Sequence, residues 1–189
     1  MCVNRIFRPF WNGLLSLFVT SSLPDVEPLT KEERKSLVDS WPKLKEKNPD
    51  LFLRAWIKSA RMSVNIKKAT GLREDEDPAA NGRFISLAPY IEDFVDKLII
   101  EFRCNDSKVA EACRKLGARH VLVENFHINF WDIFLGNLIQ IIIEAHPERE
   151  QREIAAICEK FFAFFVNFMR DGYKTRVQEQ LSGRRHMNT

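Results

Sequence analysis

The sequence predicts an all-α domain, and three observations carry that expectation. Fifteen Phe and four Trp stand against two Tyr and seven Gly, so the core is built of large rings, with few of the glycine turns a β-sandwich needs. Apolar residues recur at spacings of three and four along most of residues 30–173, the period of helices that bury one face. At 189 residues and 45% hydrophobic content, the chain has room for one closed core and an extension.

Residues 1–28 form an N-terminal extension and linker. Arg5, Arg8, Asn12 and Ser16 recur at helical spacing while Phe7, Phe10, Trp11, Leu14, Leu15 and Phe18 fill the other side, an amphipathic pattern. Three readings stay open: a segment packed on the domain or disordered, an interfacial helix placing residues 1–19 on a membrane surface, and a signal peptide cut near Ser21 and Ser22. Pro9 and Asn12 interrupt the apolar core a signal needs, and the run is too short and polar to span a bilayer. Residue 2 is Cys, which excludes N-myristoylation and leaves palmitoylation open. Leu23-Pro24-Asp25-Val26-Glu27-Pro28 reads as the linker.

Thr30-Lys31-Glu32-Glu33 is a capping box that starts the first helix, with Leu37, Trp41 and Leu44 inward and Asn48-Pro49 as its stop. A second helix runs from about Asp50, with Leu51, Phe52, Ala55 and Trp56 as its apolar face. Residues 63–82 lose periodicity, and the charged run Arg73–Pro78 reads as a solvated loop. Phe84, Leu87, Ile91, Val95 and Leu98 restore a long stripe that Pro89 should kink in its first turns. Asp106-Ser107 is placed to cap the next helix, which carries Val109, Cys113, Leu116 and His120 on one line. Two long helices close the chain, at about 125–145 and 147–173, with Pro147 in the tolerated first turn. Their facing rings include Phe126, Phe130, Trp131 and Phe134 against Phe161, Phe162, Phe165 and Phe168, and the polar tail after residue 173 is expected to fray.

The net charge of +3 comes from 29 basic and 26 acidic residues without a basic stripe, so nucleic acid is not an expected partner. Cys2, Cys104, Cys113 and Cys158 lack both zinc-site spacing and the density of a disulfide scaffold. Free thiols in a reducing, cytoplasmic compartment are expected, with membrane association through the extension as the variant.

Trp41 in the first helix is followed by Phe84-x-x-Leu87-x-x-x-Ile91-x-x-x-Val95-Asp96 and then, 33 residues after Leu87, by the histidine of Leu116-Gly117-x-x-His120. This ordered set resembles the globin family, and more narrowly the divergent invertebrate, nematode-type globins that are also similar to neuroglobin-like proteins. The resemblance covers about residues 29–175 and leaves 176–189 as a polar tail. It implies six to eight helices around a haem crevice, haem b as cofactor, and a diatomic gas and a redox partner as partners. His120, which alone would read as an ordinary packed histidine, becomes the proximal iron ligand. Its second ring nitrogen should donate to a carbonyl about one turn earlier, with Leu116 the expected source.

By the same resemblance Leu116, Phe126, Trp131 and Phe134 line the proximal wall, a role compatible with ordinary core packing. Arg119 is placed either to pair with a haem propionate or to be solvated. The distal wall falls to Leu87, Ile91 and Phe52. Ile66 stands where globins wedge a phenylalanine against the haem, with Met62 and Val64 as alternatives in an uncertain register. No usual donor to bound gas is present at Leu87 or Phe52, and such a donor contributes about 1.5–3 kcal/mol in an apolar pocket, roughly tenfold to a hundredfold in affinity. Oxygen should therefore bind loosely or oxidise the iron, which favours gas sensing or electron transfer over bulk oxygen carriage. Leu87 cannot ligate iron; His127, His146 and His186 lie on later segments, and His127 reads as a satisfied or exposed histidine. The alternative is a globin-fold scaffold that has lost haem and serves as an interaction or sensor module. A dedicated redox enzyme, a nitric-oxide dioxygenase or peroxidase, is the third reading, lacking a flavin domain or a clear distal acid–base residue.

Overall fold

The structure is a computed structural model that describes residues 27–144 and 148–186, and its regular elements are all helical. In chain order they are α1 (Lys31–Lys47), α2 (Leu51–Met62), α3 (Val64–Ala69), a 3-10 turn at Pro78–Ala80, α4 (Gly82–Ile85), α5 (Ala88–Asp96), a π-type turn at Lys97–Glu101, α6 (Asp106–His120), α7 (Phe130–Glu144) and α8 (Glu148–His186). The amphipathic segment read from residues 1–19, with Cys2, lies outside the described residues, as do His146 and Pro147. No helix among the described residues is long and apolar enough to cross a membrane.

The capping box forms as its chemistry demands, with the Thr30 amide donating to Glu33 Oε2 at 2.7 Å and the Glu33 amide donating to Thr30 Oγ1 at 3.1 Å. Four boundaries differ from the expectations. Pro89 does not kink a helix interior; it stands in the first turn of α5, because the chain breaks at Ser86 and Leu87 and restarts where a proline lacks nothing. The cap of α6 is Asn105, not Asp106: Asn105 Oδ1 accepts from the Lys108 amide at 3.1 Å. α7 begins at Phe130 rather than near residue 125, since Asn125 takes φ +58° and interrupts the backbone there. α8 runs to His186 instead of fraying after residue 173.

The main core joins Leu37, Trp41 and Leu44 of α1 to Phe52 of α2, Val95 of α5, Val109 and Cys113 of α6, Leu138 of α7 and Phe161, Phe162 and Phe165 of α8. A second cluster of Ala60, Ile66, Leu72 and Phe84 lies under residues 63–82, and Trp56 packs against both. The Trp41 indole N–H donates to Asp96 Oδ1 at 2.7 Å, and Lys45 reaches both Glu92 and Asp96, which ties α1 to α5. Arg34 binds the Leu29 and Cys104 carbonyls and the Asp106 carboxylate, tying the start of α1 to the start of α6.

α6 and α8 make the largest interface, and two glycines allow it. A Cβ on Gly117 would stand 1.9 Å from the Met169 carbonyl oxygen, and one on Gly172 would stand 2.1 Å from that of Arg114. The contacts are reciprocal and made by backbone, which cannot swing aside as a side chain would. Alanine gains about 1 kcal/mol over glycine in a helix, whereas overpacking against backbone costs about 1–3 kcal/mol and at times more. Gly117→Ala and Gly172→Ala are each expected to lower stability by about 1–2 kcal/mol net in equilibrium denaturation; a stabilisation by either would contradict the packing.

Candidate functional site

α6 ends at His120, one turn beyond Gly117, so the α6–α8 crossing sets where the imidazole lies. His120 Nδ1 is 2.9 Å from the Leu116 carbonyl oxygen. A carbonyl can only accept, so Nδ1 carries the hydrogen, and Nε2 is left with its lone pair. The irregular segment 121–129 then carries Phe126 back against the ring: the centroids of His120 and Phe126 are 4.8 Å apart, and those of His120 and Trp131 are 5.3 Å apart, nearly edge-on at 78°. Tyr173 of α8 closes this group, 5.8 Å from Phe126 and 6.2 Å from Trp131. The imidazole therefore sits half-buried in an aromatic cup. Burial pushes its pKa below the ordinary histidine value, and the bond to Leu116 opposes that only in part.

One residue beyond Trp131, Asp132 on α7 pairs with Arg170 on α8, both side chains nearly buried. Burial raises the Asp132 pKa while Arg170 works against the rise. The pair joins the two helices that carry Trp131 and Tyr173.

On the other side, Trp131 continues along α7 to Phe134, whose ring meets Trp56 at 6.0 Å. Trp56 in turn stacks on Phe84 at 4.8 Å with planes 6° apart, and its N–H donates to the Phe84 carbonyl at 3.0 Å. Its donor is thus occupied.

The structure brings Leu116, Phe126, Trp131, Phe134, Ile91 and Phe52 into one apolar cluster. Within it Phe52 lies edge-on to Trp41 at 6.1 Å, so Trp56, one turn later on α2, is the residue that meets Phe134. Ile66 belongs instead to the second cluster with Phe84. Leu87 is 38% exposed at the break before α5, and Arg119 is exposed. His127 is exposed, its Nδ1 accepting from the Asn129 amide at 3.3 Å. Trp56 and Tyr173 were legible only as stripe residues: Trp56 follows Phe52 by four, and Tyr173 follows Met169 by four.

Among the described residues no group of three or more His, Cys, Asp or Glu is placed to hold a bare metal ion. A lone neutral imidazole suits a metal whose other ligands come from a macrocycle, and an aromatic cup suits the apolar face of that macrocycle. Cys104 and Cys158 are free thiols, buried and pushed up to about 12, so neither supplies a competing thiolate near neutrality.

No protein-family model matches the chain, and no curated protein does. Among solved structures, that of a hexacoordinated haem protein from an anhydrobiotic tardigrade is similar, with a TM-score of 0.59 and 17% sequence identity over 78% of this chain and 96% of that one. The likeness shows the fold, all-helical and globin-like.

The lowered pKa of His120 makes stability depend on pH with a definite sign. Between that pKa and the unfolded value of 6.5, the unfolded chain binds more protons than the folded one. This contribution is full above 6.5 and falls as the pH drops through the window. An NMR titration is expected to place the His120 midpoint below 6.5, and His120→Gln to flatten that part of the stability profile; a midpoint at or above 6.5 would contradict the burial.

Proposed function

We propose that the chain is a haem-binding globin in which His120 is the axial protein ligand. The observation that carries this is the imidazole itself, fixed by Leu116 with Nε2 free and neutral in a cup of Phe126 and Trp131. Haem b would supply reversible binding of a diatomic gas or a one-electron change at its iron. The chain's own residues do the rest. Leu116 orients the imidazole, Phe126, Trp131 and Phe134 cover apolar porphyrin surface, and exposed Arg119 is suited to a propionate.

On this reading the opposite face falls to Leu87 and Ile91, which neither ligate iron nor donate a hydrogen bond, and the Trp56 N–H is already given to Phe84. Gas sensing or electron transfer therefore fits better than bulk oxygen carriage, since bound oxygen lacks a donor to hold its partial negative charge. The tardigrade protein is described as hexacoordinated; in this chain no second protein ligand is proposed. The domain is taken as residues 29–175, with residues 1–28 as extension and linker, of which residues 1–19 are the segment proposed to meet a membrane surface. A haem-free scaffold is favoured by one observation, the placing of Ile66 in the separate cluster with Phe84, away from the His120 cup.

Titrating the full chain with haemin is expected to give an equimolar Soret band, and the ferrous form a five-coordinate spectrum that shifts with carbon monoxide. His120→Ala is expected to lose most of the Soret intensity. No Soret band in the parent chain would favour the scaffold, and a low-spin bis-histidine spectrum would contradict the single-ligand assignment.

A further inference from the structure

Trp131 and Tyr173 lead outward from His120 in a sequence of touching rings. Trp131 is 8% exposed and lies 5.3 Å from His120; Tyr173 is half-buried and lies 6.2 Å from Trp131, edge-on at 86°. Phe126 wedges against all three rings, at 4.8, 5.0 and 5.8 Å. Electron tunnelling decays exponentially with distance, so touching rings exchange an electron in one short step. Of the rings in this group only the indole and the phenol yield an electron at potentials a protein reaches; phenylalanine does not. The other tyrosine, Tyr90, is 72% exposed and makes no ring contact among the described residues.

We propose that Trp131 and Tyr173 form a one-electron relay between the His120 site and the protein surface. Its inner end rests on the haem reading, whereas the step from Trp131 to Tyr173 does not. When a one-electron oxidising radical of the azide-radical class takes an electron from Trp131 and is reduced to its anion, the indole N–H releases its proton to water and a neutral indolyl radical remains. That radical takes an electron from Tyr173 and a proton from water, which restores the indole. Tyr173 releases its phenolic proton to water and is left as a neutral phenoxyl radical. A small anionic one-electron reductant of the ascorbate class then returns an electron to the phenoxyl, which regains its proton from water. Lys174, exposed and next to Tyr173 in sequence, adds a positive charge that suits an anionic donor.

The test is pulse radiolysis of the full-length chain without added haem, using the azide radical, which oxidises indoles selectively. Indolyl absorption is expected to decay into phenoxyl absorption at a rate independent of protein concentration. Tyr90→Phe should keep this conversion. Tyr173→Phe, which removes only a hydroxyl and keeps the packing, should lose it, as should Trp131→Phe, which leaves the other indoles in place. Absence of the conversion in the parent chain, its survival in Tyr173→Phe, its loss in Tyr90→Phe, or a concentration-dependent rate would each overturn the relay. Because no haem is present, this result and the Soret titration succeed or fail separately.

Discussion

The crossing of α6 and α8 at Gly117 and Gly172 is the constraint on which the site depends. Backbone meets backbone there, so neither helix can rotate or slide without a clash of carbonyl oxygens. His120 lies one turn beyond Gly117 and Tyr173 one residue beyond Gly172, and the same contact therefore positions both ends of the aromatic group. An Arg114–Asp171 ion pair at 2.7 Å and the Arg114 guanidinium over Phe168 lie along the same seam. Being half exposed, that ion pair adds little energy, and close packing does most of the holding.

Given that placement, the chemistry of the imidazole follows from its surroundings. An apolar cup disfavours the protonated ring, the Leu116 carbonyl selects the tautomer, and the thiols of Cys104 and Cys158 stay protonated. The two sides of the proposed iron site are unequal in kind. His120 is held by a hydrogen bond and two rings, whereas on the haem reading the opposite face falls to Leu87 and Ile91, and the Trp56 indole donor is bound to Phe84. On the proposed haem reading, that asymmetry goes with a loosely held gas ligand rather than a tightly held one.

The helical architecture was legible because period and capping act locally: Thr30-x-x-Glu33 and the stripe through Leu37, Trp41 and Leu44 need no distant partner to be read. The hydrogen bond from His120 to Leu116 was legible for the same reason, being set by helix geometry four residues apart. What was not legible depends on tertiary contact. Nothing local distinguishes Phe52 from Trp56 on one apolar face; the choice is made by Trp41 on one side and by Phe134 and Phe84 on the other. Gly117 and Gly172 read as weak helix residues until their neighbours across the interface are seen. The start of α7 is not legible locally, because Asn125 adopts a left-handed conformation open to asparagine but not demanded by it. The length of α8 is not legible either, because a polar run reads as fraying even when a helix continues through it.

The central claim is that His120, held by Leu116, is the protein's own bond to haem iron. Resonance Raman spectroscopy of the ferrous, haem-loaded full-length protein tests it most directly. The account predicts an iron–imidazole stretching band that disappears in His120→Gly and returns when free imidazole is added to that variant. A band that persists unchanged in His120→Gly would contradict it.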